Sequence, residues 1–250
     1  MESTKASQGE VPMPSQVGVD GKKYCDLMEE VKLRINVVNH FLSGQGHALY
    51  QPSTLETVCL QLRKILELVA FGSLVANKEA YTATYAKVSK AWNAGEILAE
   101  LAKINPSFYP VPVIEVPSEI PGVRSRHEKR VGDYLNEAEF KEVYGRCGVL
   151  AHAANPYGKG IDYAYYAQNL PIWRTRIMNL LNSHDIHLIG DPGMYVVHMT
   201  EHGDDRVKIY RFEPPPTEIL REVGFDGDRG ETSRMTPTQI ERAIKISQSK

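Results

Sequence analysis

The sequence predicts a mainly α-helical protein, an antiparallel helical bundle with a small antiparallel β meander near its C-terminus. Long stretches with apolar residues at helical spacing predict the bundle, and the first of them runs from residue 24 to residue 42. Residues 187–212 change to short β-rich runs separated by turns, which predicts the meander. With 250 residues, of which 42% are hydrophobic and 24% charged, the chain can bury one sizeable core.

Two long helices and a shorter one are expected in the first part of the chain. The helix over residues 24–42 ends at a Ser-Gly pair. Ser53, followed three residues later by Glu56, has the signature of a capping box, and the apolar pattern continues from there toward Asn77. A third helix is expected over residues 92–104, where an Asn-Pro pair ends it.

Two further helices and a short terminal one follow an extended segment. Residues 109–122 alternate proline with β-branched residues, which predicts a surface connection or an edge segment, because proline cannot join a central strand. The next helix begins at Asn136, with Glu139 placed to complete a capping box. Another helix is expected over residues 163–181, and a short one begins at Thr236.

The chain is expected to divide into four parts. Residues 1–19 are polar with few large apolar groups, which predicts a disordered tail. Residues 20–185 form the bundle, and residues 186–213 form the meander packed on it. Residues 214–250 supply a linker and the terminal helix.

Composition excludes some classes of function. A formal charge of -2 and a pI near 6.5 argue against a broad basic surface, so any RNA contact must be local. The N-terminus lacks a signal-peptide pattern, and no apolar run approaches the roughly 20 residues of a membrane helix. Cys25, Cys59 and Cys147 lie far apart in apolar helical contexts, which predicts buried, reduced thiols. We therefore expect a cytoplasmic protein without membrane contact.

The most basic run of the chain is RSRHEKR, residues 124–130. It is either a solvated loop or a rim that contacts phosphates. Under the second interpretation the candidate RNA-binding residues are Arg124, Arg126, Lys129 and Arg130.

An arginine and a histidine six residues apart form the candidate catalytic site. On a regular helix the side chains of Arg146 and His152 point about 120° apart, so they converge only through the length of the arginine, a distorted helix or a subunit interface. Gly145 and Gly148 interrupt the helical pattern, which indicates a distortion or a close backbone approach. Glu142 lies four residues before Arg146 and can pair with it.

This pair of residue types suits cleavage of RNA without a metal or cofactor. A histidine can exchange a proton with the attacking 2′-hydroxyl or with the leaving 5′-oxygen. An arginine can stabilise the charge that develops on the phosphate. Because the 2′-hydroxyl is the nucleophile, the reaction is restricted to RNA and leaves a cyclic phosphate.

Antiparallel helices with the pattern Arg, five residues, His on a late helix resemble the HEPN superfamily. Its members include many ribonucleases of bacterial toxin and antiviral systems, and also non-catalytic modules. The resemblance implies that Arg146 and His152 are catalytic, and that Glu142 takes the place of an acidic residue found in some members. It also implies RNA as the substrate and a homodimer that brings two Arg-His pairs to one groove, and it leaves room for a regulatory protein partner.

The same spacing occurs a second time, between Arg34 and His40 on the first helix. Either one of the two pairs is accidental, or both contribute to a composite site between antiparallel helices. We favour Arg146 and His152 because the glycines and the following NPYG break the helical pattern there, and such local conflicts concentrate at functional sites.

The other candidate residues have a simpler interpretation. Four histidines match no standard metal-site spacing and are predicted to be surface or turn residues: His184, His187, His198 and His202. Glu67 lies among apolar residues of the second helix and is predicted to join a structural ion pair with an arginine.

Two other classes of function stay open. A non-catalytic HEPN-like module would use the meander and the C-terminal tail to recognise a partner protein. A nucleotide or effector sensor would use residues 124–130 as a phosphate site. Cleavage of RNA would distinguish the ribonuclease from both.

Overall fold

The fold contains α-helices and an antiparallel β-sheet. The computed structural model describes residues 15–77, 94–117, 125–188, 193–201, 203–212, 216–225 and 235–248. The helices in these ranges are α1 (Ser15–Leu42), α2 (Gln51–Ala76), α3 (Ala94–Ile104), α4 (Glu137–Val149), α5 (Tyr163–Leu181), α6 (Thr217–Glu222) and α7 (Pro237–Gln248). The strands are β1 (Val111–Pro117), β2 (Ser125–Lys129), β3 (Ser183–Ile186), β4 (Met194–His198) and β5 (Lys208–Phe212).

Some of the predicted features fall outside the described residues. Of the predicted tail, only residues 15–19 are described, and they open α1. Arg124, His202, residues 92–93 of the predicted third helix and residues 226–234 of the predicted linker also lie outside.

The predicted fold class was wrong, because the five strands form one antiparallel sheet in the order β2-β1-β3-β4-β5. The protein is therefore a mixed α/β structure and not a mainly helical bundle with a small meander. The prediction missed three strands. β1 comes from the segment interpreted as a surface connection or edge segment, β2 comes from the basic run after it, and β3 begins in residues assigned to the bundle.

The prolines of β1 explain this error. Val111 and Pro112 pair with β3, and from Val113 onward β1 pairs only with β2. Pro112 contributes its carbonyl, which accepts a hydrogen bond from the amide of Arg130 at 2.8 Å. Since β1 changes partner at Pro112, the strand can tolerate a residue without an N–H at this position.

The sheet has one face toward the helices and one face away from them. Side chains alternate along each strand, so His184 and Ile186 of β3 lie on the same face as Tyr195 and Val197 of β4. Ile186, Tyr195 and Val197 are buried in the main apolar core together with the helices. The opposite face, here called the outer face, carries Ser183, Asp185 and His198, and it continues onto Lys208, Tyr210 and Phe212 of β5.

The β1–β2 hairpin folds over this outer face. In a flat sheet, β2 and β5 would lie about 19 Å apart, because three strands separate them. The ring of His127 on β2 is nevertheless centred 5.8 Å from the ring of Phe212 on β5. Val113 and Val196 share the outer face and are buried, which fits a covered surface. The sheet is therefore strongly curled.

Helix α2 lies at the centre of the bundle. It packs against α1, α3, α4 and α5, and Leu62, Ile65 and Leu66 on it are fully buried. Its predicted capping box was wrong: α2 begins at Gln51, and the hydroxyl of Ser53 donates to the carbonyl of Tyr50 within the first turn. The strong apolar face of α2 is thus the framework on which the other helices are placed.

The two C-terminal helices pack on each other. Ile219, Leu220 and Val223 of α6 and the turn after it contact Met235 and Ala243 from α7 and its start, which gives a second, small apolar cluster. Of the helices described, none contains a segment long and apolar enough to cross a membrane.

Candidate functional site

Helix α4 is fixed at its start by the predicted capping box. The side-chain oxygen of Asn136 accepts from the amide of Glu139 at 3.0 Å, and the carboxylate of Glu139 accepts from the amide of Asn136 at 3.2 Å. Phe140, Val143 and Cys147 are buried along one face. The helix that carries the candidate site therefore has a defined position in the core.

Tight turns close the other end of α4. The amide of Ala151 donates to the carbonyl of Gly148 at 3.1 Å. The amide of His152 donates to the carbonyl of Val149 at 3.4 Å. Turns of this kind advance about 120° per residue, where an α-helix advances about 100°. Since the helix ends at Val149 and these turns follow it, the 120° separation expected for a regular helix does not apply to His152.

Arg146 is exposed and has an acidic and an aromatic neighbour. Its Nε atom lies 3.6 Å from Oε1 of Glu142, so the ion pair predicted between them is present. Its guanidinium carbon lies 5.3 Å from the centre of the Tyr165 ring, within the range of a cation–π contact. Its backbone carbonyl accepts a hydrogen bond from the Tyr166 hydroxyl at 2.9 Å, which ties this turn of α4 to α5.

His152 lies in an open segment. Every residue from 151 to 160 is exposed, including Tyr157, whose exposed fraction is 97%. Within the described residues, the side chains of Arg146 and His152 make no hydrogen bond to each other. Both side chains are exposed, with Arg146 in the last turn of α4 and His152 in the segment after it.

The side chain of Arg63 from α2 packs closely against Gly148. A Cβ atom at Gly148 would lie 2.8 Å from Nη1 of Arg63, so the predicted close approach at this glycine is confirmed. Arg63 donates to the backbone carbonyl of Tyr144 at 3.2 Å and to its hydroxyl at 2.6 Å. Nε of Arg63 lies 3.4 Å from Oε1 of Glu67, which is the structural ion pair expected for that glutamate. A Cβ at Gly145, in contrast, would meet no atom within 4 Å.

Cys147, the residue after Arg146, contacts a second cysteine in the core. Cys59 of α2 and Cys147 of α4 are both free thiols with an exposed fraction of 1%. A hydrogen bond with Cys147, together with burial, raises the pKa of Cys59 far above its ordinary range. The sequence predicted that both cysteines lie on apolar helix faces. The contact between them could not be predicted, because they lie on two helices that are distant in sequence.

The second Arg-His pair has a structural role at its arginine. Arg34 donates to Gln61 of α2 at 2.9 Å and to Glu30 at 3.0 Å, so it ties α1 to α2. The ring of His40 packs beside Gly46 in the loop after α1. Among the hydrogen bonds, ion pairs and ring contacts of the described residues, none joins this pair to Arg146 or His152, and the composite site stays a prediction.

The basic run forms strand β2 and the residue after it. Arg126 pairs with Glu128 at 3.1 Å. Lys129 is exposed and lies on the outer face with His127, and the backbone amide of Arg130 bonds to β1. The contribution of these cations to RNA binding stays a prediction.

The histidines of the sheet were misjudged as surface or turn residues. His184 is fully buried, and its ring bonds to the Tyr24 hydroxyl at 2.7 Å and to the Leu181 carbonyl at 2.8 Å. Burial lowers the pKa of His184 to about 4. His198 is bonded through Nδ1 to the Ser183 hydroxyl at 2.8 Å. Among the described residues, no three His, Cys, Asp or Glu side chains are grouped so that they could hold a metal ion.

No family model, no curated protein and no solved structure matches the chain.

Proposed function

We propose that this chain is a metal-independent endoribonuclease of HEPN-like design, with Arg146 and His152 as its catalytic residues. The observation that carries the proposal is the open end of α4. Both side chains are exposed there, and residues 151–160 leave the surface around them uncovered. Each group is therefore accessible to a polymer backbone, as cleavage within an RNA chain requires.

In the proposed reaction the neutral imidazole of His152 takes the proton of the ribose 2′-hydroxyl. The 2′-oxygen attacks the adjacent phosphorus, the bond to the 5′-oxygen breaks, and that oxygen receives a proton from a second donor. The products are a 2′,3′-cyclic phosphate and a free 5′-hydroxyl. Arg146 stabilises the negative charge on the phosphate oxygens, and Glu142 orients its guanidinium.

A homodimer would supply the second proton donor, because a second copy brings a second His152 to the groove. A cytoplasmic location fits the free, buried thiols of Cys59 and Cys147, which a reducing compartment preserves. Within this proposal the enzyme acts in bacterial defence or as a toxin, and a regulatory protein restrains it.

The first test is incubation of total RNA with purified protein in EDTA, followed by analysis of the cleaved ends. We expect the wild type to leave cyclic phosphate ends and His152→Ala to lose about a hundredfold or more of the rate. His47→Ala is the matched control, because His47 is exposed in the loop between α1 and α2. Full activity of a folded His152→Ala protein would contradict the proposal.

A further inference from the structure

Four rings form a continuous strip across the outer face of the sheet. The ring of His127 is centred 5.8 Å from that of Phe212 and 5.7 Å from that of His198. The ring of His198 is in turn centred 5.8 Å from that of Tyr210. The order along the strip is Phe212, His127, His198, Tyr210, so residues of β2, β4 and β5 meet in one surface.

The ends of this aromatic strip are open to solvent. Tyr210 has an exposed fraction of 37% and Phe212 one of 43%. The two residues are separated by one position on β5, so their side chains lie on the same face of an edge strand. Exposed aromatic rings on one face of a sheet are a suitable surface for stacking unpaired nucleobases, since every base has a flat π face.

Hydrogen bonds and strand pairing hold parts of the aromatic strip in place. Nδ1 of His198 is bonded to the Ser183 hydroxyl at 2.8 Å, and Tyr210 is hydrogen-bonded to Glu201. The backbone of His127 is held by strand pairing, opposite Glu115 in the β1–β2 register. The hydrogen bonds of His198 and Tyr210 hold these two rings before any ligand arrives, which lowers the ordering cost of binding.

Charges of both signs lie around the strip: Asp185 is on the outer face and interacts electrostatically with Lys129, and Glu115 interacts with His127. Lys129 is exposed on the same face, on the strand whose cations the sequence predicts as phosphate contacts. Lys208 lies beside the strip but is paired with Glu201 at 3.0 Å and with Asp204 at 3.4 Å. A ligand would thus gain most of its affinity from stacking, with one phosphate contact at Lys129.

We propose that the exposed edge of the outer face, at Tyr210 and Phe212 of β5, binds single-stranded RNA, with bases stacked on these two rings and one phosphate against Lys129. The choice of RNA rests on the function proposed above, and the platform gives that ribonuclease a substrate-holding surface apart from its reacting groups. Bases inside a duplex cannot stack on the rings, because neighbouring base pairs cover the faces of those bases. The site therefore selects unpaired segments.

The test measures binding without cleavage. The probe is a short fluorescein-labelled 2′-O-methyl oligouridine, which has no 2′-hydroxyl to attack, and the readout is fluorescence anisotropy at low salt. We expect Tyr210→Ala with Phe212→Leu to weaken binding by about tenfold or more, and Phe212→Trp to keep wild-type affinity because it keeps a ring. Tyr50→Ala, which removes an exposed tyrosine elsewhere, is the control for nonspecific stacking.

A second measurement examines the phosphate contact. Lys129→Ala should lower the slope of log affinity against log salt by about 0.7, the value for one contact on a single strand. Wild-type affinity of the double variant, equal affinity for a matching duplex, or no binding by the wild type would overturn the proposal. His152→Ala should bind the probe normally, so loss of cleavage with intact binding separates the two sites.

Discussion

At the scale of single residues, Gly145 and Gly148 carry different constraints although they share helix α4. Both interrupt the helical pattern, and the sequence gives no reason to distinguish them. The structure does, because Gly148 faces the guanidinium of Arg63 and Gly145 faces open space. Arg63 is also stacked on Tyr144, with its guanidinium carbon 3.9 Å from the ring centre, so it cannot leave without losing contacts. A close approach was predictable from the glycine, but its partner was not.

The same substitution at these two positions should therefore have different effects. Gly145→Ala should stabilise the protein by up to about 1 kcal/mol, because alanine favours the helix and its methyl group meets no neighbour. Gly148→Ala should be less stable than Gly145→Ala by roughly 1–3 kcal/mol, because the new Cβ displaces Arg63 from Tyr144. Urea unfolding of the two variants measures the difference. Equal stabilities would mean that the guanidinium of Arg63 moves aside without cost and that this position does not require glycine.

At the scale of secondary structure, long helices were predictable and most of the sheet was not. The helices over residues 24–42 and 163–181 were recognised from their apolar spacing, which requires only local information. β4 and β5 were expected within the meander, whereas β1 was hidden by its prolines. Capping signatures gave mixed results: Asn136 caps α4 as predicted, but the helix with Ser53 begins earlier, with Pro52 in its first turn.

The cap of α4 allows a direct test at this scale. Asn136→Ala should lower the free energy of unfolding by about 1 kcal/mol, because the amide of Glu139 loses its side-chain acceptor. Asn136→Ser retains an acceptor and should keep most of that stability. Thermal unfolding followed by circular dichroism compares the variants, and an unchanged midpoint for Asn136→Ala would argue that the capping box is not formed in solution.

At the scale of the whole molecule, the features that the sequence did not reveal are contacts between distant segments. The meeting of His127 with Phe212 requires the curl of the sheet, and the meeting of Cys59 with Cys147 requires the packing of α2 on α4. No periodic pattern encodes either contact. The sheet and the bundle also join at His184, which reaches from β3 to the hydroxyl of Tyr24 on α1. His184 is followed in β3 by Asp185, which is also buried but lies on the outer face, so two buried titratable groups make the stability of the fold dependent on pH.

In acid, His184 and Asp185 should have opposite effects on how the free energy of unfolding changes with pH. Burial lowers the pKa of His184 to about 4, so its contribution to stability is full above its unfolded value of about 6.5 and is lost as the pH falls toward 4. Burial raises the pKa of Asp185 to about 6, so its contribution is full below its unfolded value of about 3.9 and is lost as the pH rises through 6. Each shift corresponds to roughly 3 kcal/mol, and the two slopes of stability against pH nearly cancel between about pH 4 and 6.

Asp185→Asn removes the slope that Asp185 contributes. The variant should be more stable than the wild type at pH 7 and should lose stability steeply below pH 6.5. Urea unfolding across this range measures both curves, and parallel curves would show that Asp185 does not carry a buried charge.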